Sequence, residues 1–148
     1  MSDINGFYDS KLKPIINELE KERKKIKEIV DLYSYSTNIG CKAVNVKNME
    51  ILASDSGHPS FCNLVCSFDK GKNDCKNSYL YGALQVEKLG EEYIYFCPYG
   101  LVNWTVPIFN DKELTNILVG GPVLLHTVDD LLIEDILKQN PSLVNIYR

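Results

Sequence analysis

From residue 11 to residue 37 the apolar positions Leu12, Ile15, Ile16, Leu19, Ile26, Ile29, Val30 and Tyr33 recur at three- and four-residue steps, the period of one helix face. Ser10 stands where an N-cap is expected, and Pro14 falls in the first turn, where a missing N–H costs nothing. Residues 20–25 are charged throughout. That suits a helix lying across a sheet, and equally one that projects beyond the core or pairs with a copy of itself. Residues 42–46 and 49–53 are short apolar runs separated by Lys47-Asn48, the pattern of a first hairpin or an interrupted strand. Residues 54–59 concentrate turn formers and predict a loop.

Helical spacing returns over residues 73–89 through Cys75, Tyr79, Ala83, Val86 and Leu89, and Gly90 stands where a glycine ends a helix. Three runs of β-branched and aromatic residues follow, 93–97, 101–109 and 114–120, before a closing helix over 129–139 with Thr127 or Asp129 near its start. This order lacks regular β-α-β alternation. It predicts an α+β fold, an antiparallel sheet flanked by helices with a long amphipathic helix at the N-terminus.

The chain has 148 residues, long enough for one domain and too short for two ordinary ones. We divide it into an N-terminal signalling or dimerisation helix, residues 1–40, and a domain over residues 41–148. Apolar residues are 45% and charged residues 24%, which excludes neither folding nor solubility and argues against disorder. No run of about 18 apolar residues and no secretory pattern is visible, so the expected location is the cytoplasm. The net charge is −4, and the one dense basic cluster, Lys21 to Lys25, is interleaved with glutamate, which argues against nucleic-acid contact by this segment.

Five cysteines in a cytoplasmic chain raise metal ligation, reactivity or packing before disulfides. Cys62 and Cys66 are four apart, Cys75 lies nine further on and Cys97 another 22, without the paired knuckles of a structural zinc site. Cys75 is expected in the first turn of its helix, where the macrodipole eases ionisation. Cys41 and Cys66 fit plain packing. Tyr93, Tyr95 and Cys97 share one strand face by alternation, Gly100 lets the backbone turn sharply, and Trp104 and the tyrosines supply either a pocket wall or an aromatic core. His58 and His126 are too isolated to form a Cys-His pair, and no GxSxG, phosphate loop or dinucleotide fingerprint appears, so an enzyme is the poorest reading.

The motifs from residue 55 to residue 124 resemble the PocR-type sensory domain. They are Phe61-Cys62, Gly71 before Cys75, Gly90 before Tyr93-Ile94-Tyr95-Phe96-Cys97, then Cys97-Pro98-Tyr99-Gly100-Leu101-Val102, Val106-Pro107-Ile108 and Gly120-Gly121-Pro122-Val123-Leu124. The resemblance implies a PAS- or GAF-like module at the front of bacterial regulators of the AraC type or of sensor kinases, binding small hydrocarbon derivatives such as short diols. Carried onto this chain, Cys62, Cys75 and Cys97 match the family's thiols, while Cys66 stands where the family places a basic or polar residue. Pro98 and Tyr99 replace the histidine and alanine usual after the strand cysteine, and Pro122 replaces a glutamine, which changes the polar groups available to a ligand.

The expected site is a ligand pocket formed by Cys62, Cys75, Cys97, Tyr95, Gly100 and Trp104 beneath residues 55–73. Ligand binding there shifts the N-terminal helix across a homodimer. The alternative is a metal ion or iron–sulfur cluster on Cys62, Cys66, Cys75 and Cys97, making a redox or gas sensor. A thiol switch without metal is a third reading.

Overall fold

The N-terminal apolar stripe forms a short helix α1 (Ser2–Phe7), one π-helical turn (Tyr8–Leu12) and the long helix α2 (Lys13–Thr37). This computed structural model describes residues 2–54, 60–125 and 130–141. Ser10 is not a cap: the chain is already helical before it, and the cap position of α2 falls on Leu12, with no side-chain hydrogen bond. Pro14 sits in the first turn of α2 as expected, and Asn38 closes the helix in a left-handed conformation, its N–H donating to Ser34 O. Only the C-terminal half of α2 is buried, through Ile26, Val30 and Ser34. Ile15 and Leu19, toward the other end, are exposed.

Five strands form one antiparallel sheet in the order β2-β1-β5-β4-β3. They are β1 (Cys41–Asn45), β2 (Ile51–Ser54), β3 (Tyr93–Phe96), β4 (Val102–Asn110) and β5 (Glu113–Val123). The first hairpin is therefore present, with Lys42 opposite Ser54 and Ala43 opposite Ala53. The helices α3 (Ser60–Cys66), α4 (Asp69–Leu89) and α5 (Asp130–Gln139) complete the described chain. Most of the expected loop, His58, His126, Thr127 and Asp129 lie outside the described residues.

Strand alternation divides the sheet into two faces with separate cores. On one face Cys41, Ala43 and Ala53 meet Ile26 and Val30 of α2. On the other, Val44, Ile117 and Val119 meet Tyr79, Ala83 and Val86 of α4. Burying each such aliphatic side chain is worth about 1.5–3 kcal/mol, so the two cores hold helices to both sides of the same strands. A smaller cluster of Val65 and Tyr99, with Phe61, Ile136 and Leu137 against it, ties α3 and α5 to the turn after β3. Gly90 ends α4 with positive φ, its N–H donating to Val86 O.

Two elements differ from expectation. Residues 60–66 form the helix α3, and α4 begins at Asp69, four residues before the apolar spacing starts. Cys75 is consequently the seventh residue of α4 rather than a first-turn residue.

Candidate functional site

Between α3, α4 and the inner sheet face lies a cavity of about 380 Å³. Its roof is Phe61, Cys62, Val65 and Cys66 of α3 with Cys75, Ser78 and Tyr79 of α4. Its floor is Lys42, Asn103 and Val119, and one wall is Cys97, Pro98, Tyr99 and Leu101, with Pro122 beside it. Most of this surface is apolar.

The wall is a tight turn. Gly100 N donates to Cys97 O at 3.0 Å, Cys97 N donates to Leu101 O at 2.7 Å, and Gly100 takes φ of 78°, so Pro98 and Tyr99 occupy the turn's centre. That conformation turns Tyr99 inward, where it is 4% exposed and its hydroxyl donates to Asp74 Oδ2 at 2.8 Å. Lys70 holds the same carboxylate at 2.7 Å and keeps its pKa below the usual value, helped by the Tyr99 hydroxyl, while burial works the other way. The phenol of Tyr99 is pushed up by burial and by this neighbouring carboxylate.

The fold gathers the three family-matching thiols and Cys66 around one cavity. Cys66 Sγ and Cys75 Sγ are 3.5 Å apart. Burial pushes the Cys75 thiol up to about 12 and the Cys62 thiol up to about 11, and raises Cys97 as well, although backbone amides of Tyr99 and Leu101 pull the last part of the way back. This reverses the expectation of an easily ionised Cys75: seven residues into α4, it is beyond the reach of the helix terminus and inside a low-dielectric wall. Among the described residues no three Cys, His, Asp or Glu side chains form a group that could hold a metal ion.

A consequence is measurable. With its pKa moved from 9.0 to about 11, the Cys62 thiolate at pH 8 is about 100-fold scarcer than in an unfolded chain, and that of Cys75 scarcer still. Iodoacetamide labelling read residue by residue by mass spectrometry is expected to be slower by at least that factor in the folded protein than in urea. Faster labelling of folded Cys75 would restore an activated thiol.

Not every expected residue reaches the cavity. Tyr95 lies on the cavity's side of the sheet, 6% exposed, stacked on Tyr93 with centroids 6.3 Å apart, and serves the packing between α4 and β3. Gly100 shapes the turn without itself lining the space. Trp104 is on the opposite sheet face: it pairs with Ile94 and Gly120 in register, and its indole covers the Gly120 backbone.

The residue that sequence reasoning passed over is Lys42. It is 7% exposed, at the centre of the floor, and its ammonium donates to Tyr79 Oη at 2.6 Å. Burial lowers its pKa, and the surrounding thiols, if ionised, would raise it. The signal was available: Lys42 has the same strand parity as Val44, so a charge on this strand faces inward. Ser78 also lines the cavity; its Oγ is buried without a hydrogen bond of good geometry, with the Tyr95 hydroxyl as its neighbour.

Comparison with known proteins places this architecture. A family model described as "Sensory domain found in PocR" matches residues 22–144. The chain belongs to the PocR sensory-domain family. Among curated proteins it is similar to Regulatory protein PocR of Salmonella typhimurium (strain LT2), at 26% identity over 127 residues, covering 83% of this chain and 42% of that protein. The chain thus spans less than half the length of that relative. The PocR-family match begins inside α2, shortly before Ile26, the first residue that helix buries against β1 and β2, and it takes in the whole cavity. The family is one of regulatory sensory domains rather than of enzymes, and no described helix is long and apolar enough to cross a membrane.

Proposed function

We propose that this chain is the input domain of a bacterial transcriptional regulator or sensor kinase, and that it binds a small hydrocarbon derivative in the cavity under α3 and α4. The observation that carries this reading is the cavity of about 380 Å³, apolar with a few buried polar groups, in a member of a sensory-domain family. Its size suits a small organic molecule and not a nucleotide-sized one. Cys62, Cys75 and Cys97 contribute polarisable, uncharged wall in this reading, with raised pKa values keeping them as thiols.

Occupancy is passed on by α2. Its contacts with β1 and β2 lie directly behind the cavity floor, and its exposed Ile15, Leu19, Ile29 and Leu32 suit a helix that pairs with its copy in a homodimer. Residues 1–40 then serve as the signalling element and residues 41–148 as the sensor.

The test is thermal denaturation with short alcohols, vicinal diols, aldehydes and carboxylic acids as a panel. A ligand at about 100 times its Kd adds about 2.7 kcal/mol, or roughly 5–10 °C in Tm for a chain of this size. Filling the cavity with Cys62→Phe is expected to abolish that shift while leaving a folded protein. A panel that leaves the wild-type Tm unmoved, at concentrations to tens of millimolar, sinks the sensory reading.

A further inference from the structure

The cavity floor holds a charge that no described residue of the walls balances. Lys42 is 7% exposed, and among the described residues its ammonium is met by a phenol, Tyr79 Oη at 2.6 Å, and by no carboxylate. No aspartate or glutamate is among the described residues lining the cavity, whereas Lys72 and Lys76 stand at its edge. The nearby thiols do not supply the missing charge, because burial holds Cys62, Cys75 and Cys97 in their neutral form. In a chain of net charge −4, the described lining of this pocket is therefore positive. Burying an ammonium without a counter-ion is unfavourable in the empty protein, and the imbalance is removed by a ligand that brings a negative charge.

Two further polar residues line the same space. Ser78 Oγ is buried with no hydrogen bond of good geometry and only the Tyr95 hydroxyl as a neighbour, and Asn103, 6% exposed, lines the cavity as Lys42 does. A carboxylate offers two oxygens and about four lone-pair sites, enough for an ammonium, a hydroxyl and an amide together, and a lone alcohol oxygen is not. The remaining wall, Phe61, Val65, Leu101 and Val119, is apolar and suits a hydrocarbon tail.

From this arrangement we propose that the ligand is a small monocarboxylate, its acid group on Lys42 Nζ with Ser78 and Asn103 as supporting donors and its tail under α3. The proposal rests on the sensory reading above and names the ligand's chemical class. Lys72 and Lys76 draw the anion toward the opening, and Lys42 holds it.

The experiment compares molecules of matched shape. Butanoate and hexanoate are titrated calorimetrically into the full chain beside 1-butanol, 1-hexanol and 1,2-hexanediol. The acids are expected to bind at least tenfold more tightly than the alcohols of equal length. Lys42→Met is expected to weaken hexanoate by about 10- to 100-fold, the range of a charge-assisted contact, while leaving 1-hexanol within about threefold. Ser78→Ala, which changes no charge, is expected to weaken hexanoate several-fold and provides a second reading should Lys42→Met fold poorly. Equal or tighter binding of the alcohols or the diol overturns the carboxylate assignment and leaves the sensory reading standing. So does an unchanged hexanoate affinity in both variants. Absence of binding by every probe overturns the assignment and the sensory reading together.

Discussion

Replacing Gly71 by alanine is expected to cost about 3 kcal/mol and to lower Tm by roughly 6–12 °C, although an alanine inside a helix ordinarily stabilises. Gly71 lies in the first turn of α4 with its α-carbon against the Val65 carbonyl of α3; a β-carbon there would meet that carbonyl oxygen and stand 2.7 Å from its carbon. The obstacle is backbone, so no side-chain rotation relieves it. Val65 O also accepts the Phe68 N–H that forms the bend between the two helices, at 3.3 Å, and displacing it opens the bend. The roof of the cavity then loses its shape, and ligand-induced stabilisation is expected to vanish even where the variant still folds. Gly6→Ala in α1, where an added β-carbon meets nothing within 4 Å, is the control and should not destabilise. Denaturant melts of the two variants decide the matter: a Gly71→Ala protein as stable as wild type would show that α3 does not pack as described.

The second large effect is expected at Gly120, on the other face of the sheet. A β-carbon on Gly120 would enter the indole of Trp104 and stand 2.9 Å from its Cδ1. Gly120 and Trp104 are register partners on β5 and β4, so the ring lies over the glycine, the arrangement in which an aromatic side chain shields an otherwise weak glycine position. Gly120→Ala must lift the ring, at a cost of about 2–3 kcal/mol. Trp104→Ala removes the obstacle, so in that background the alanine at position 120 should be almost neutral, a coupling of about 2 kcal/mol in a double-mutant cycle. Trp104 is the chain's single tryptophan, so a red shift of its emission in Gly120→Ala reports the lifted ring directly. Strictly additive destabilisation would place the indole elsewhere.

The sequence made the periodic elements legible. Ile26 and Val30 announce the buried stripe of α2, Gly90 announces the end of α4, and the β-branched runs of β4 and β5 announce the sheet. The family resemblance singled out Cys62, Cys75 and Cys97, and all three line the cavity. What escaped has identifiable causes. The helix α3 spans seven residues, too short for a period of 3.6 to declare itself, and its two cysteines drew the eye to chemistry instead. The first turn of α4 is polar and contains Gly71, because close approach of two backbones, not apolar burial, fixes it there. Trp104 was expected in the pocket because facing across strands depends on register, which the sequence does not show: Trp104 pairs with Ile94 and so shares that residue's face, not the face of Tyr93 and Tyr95. Lys42 was overlooked because a lysine in an apolar strand reads as its solvent side until the second layer of helices is known to cover it.

Strand β1 places ligand chemistry and helix contact back to back. Lys42 faces the cavity, and its immediate neighbours Cys41 and Ala43 face α2. In the proposed signalling, a pull on that ammonium reaches the helix across a partition one residue thick, as a finger pressed behind a drumhead reaches whatever rests on the skin. Information of this kind needs no long wire through the protein, and its fidelity depends on how taut the first hairpin is held.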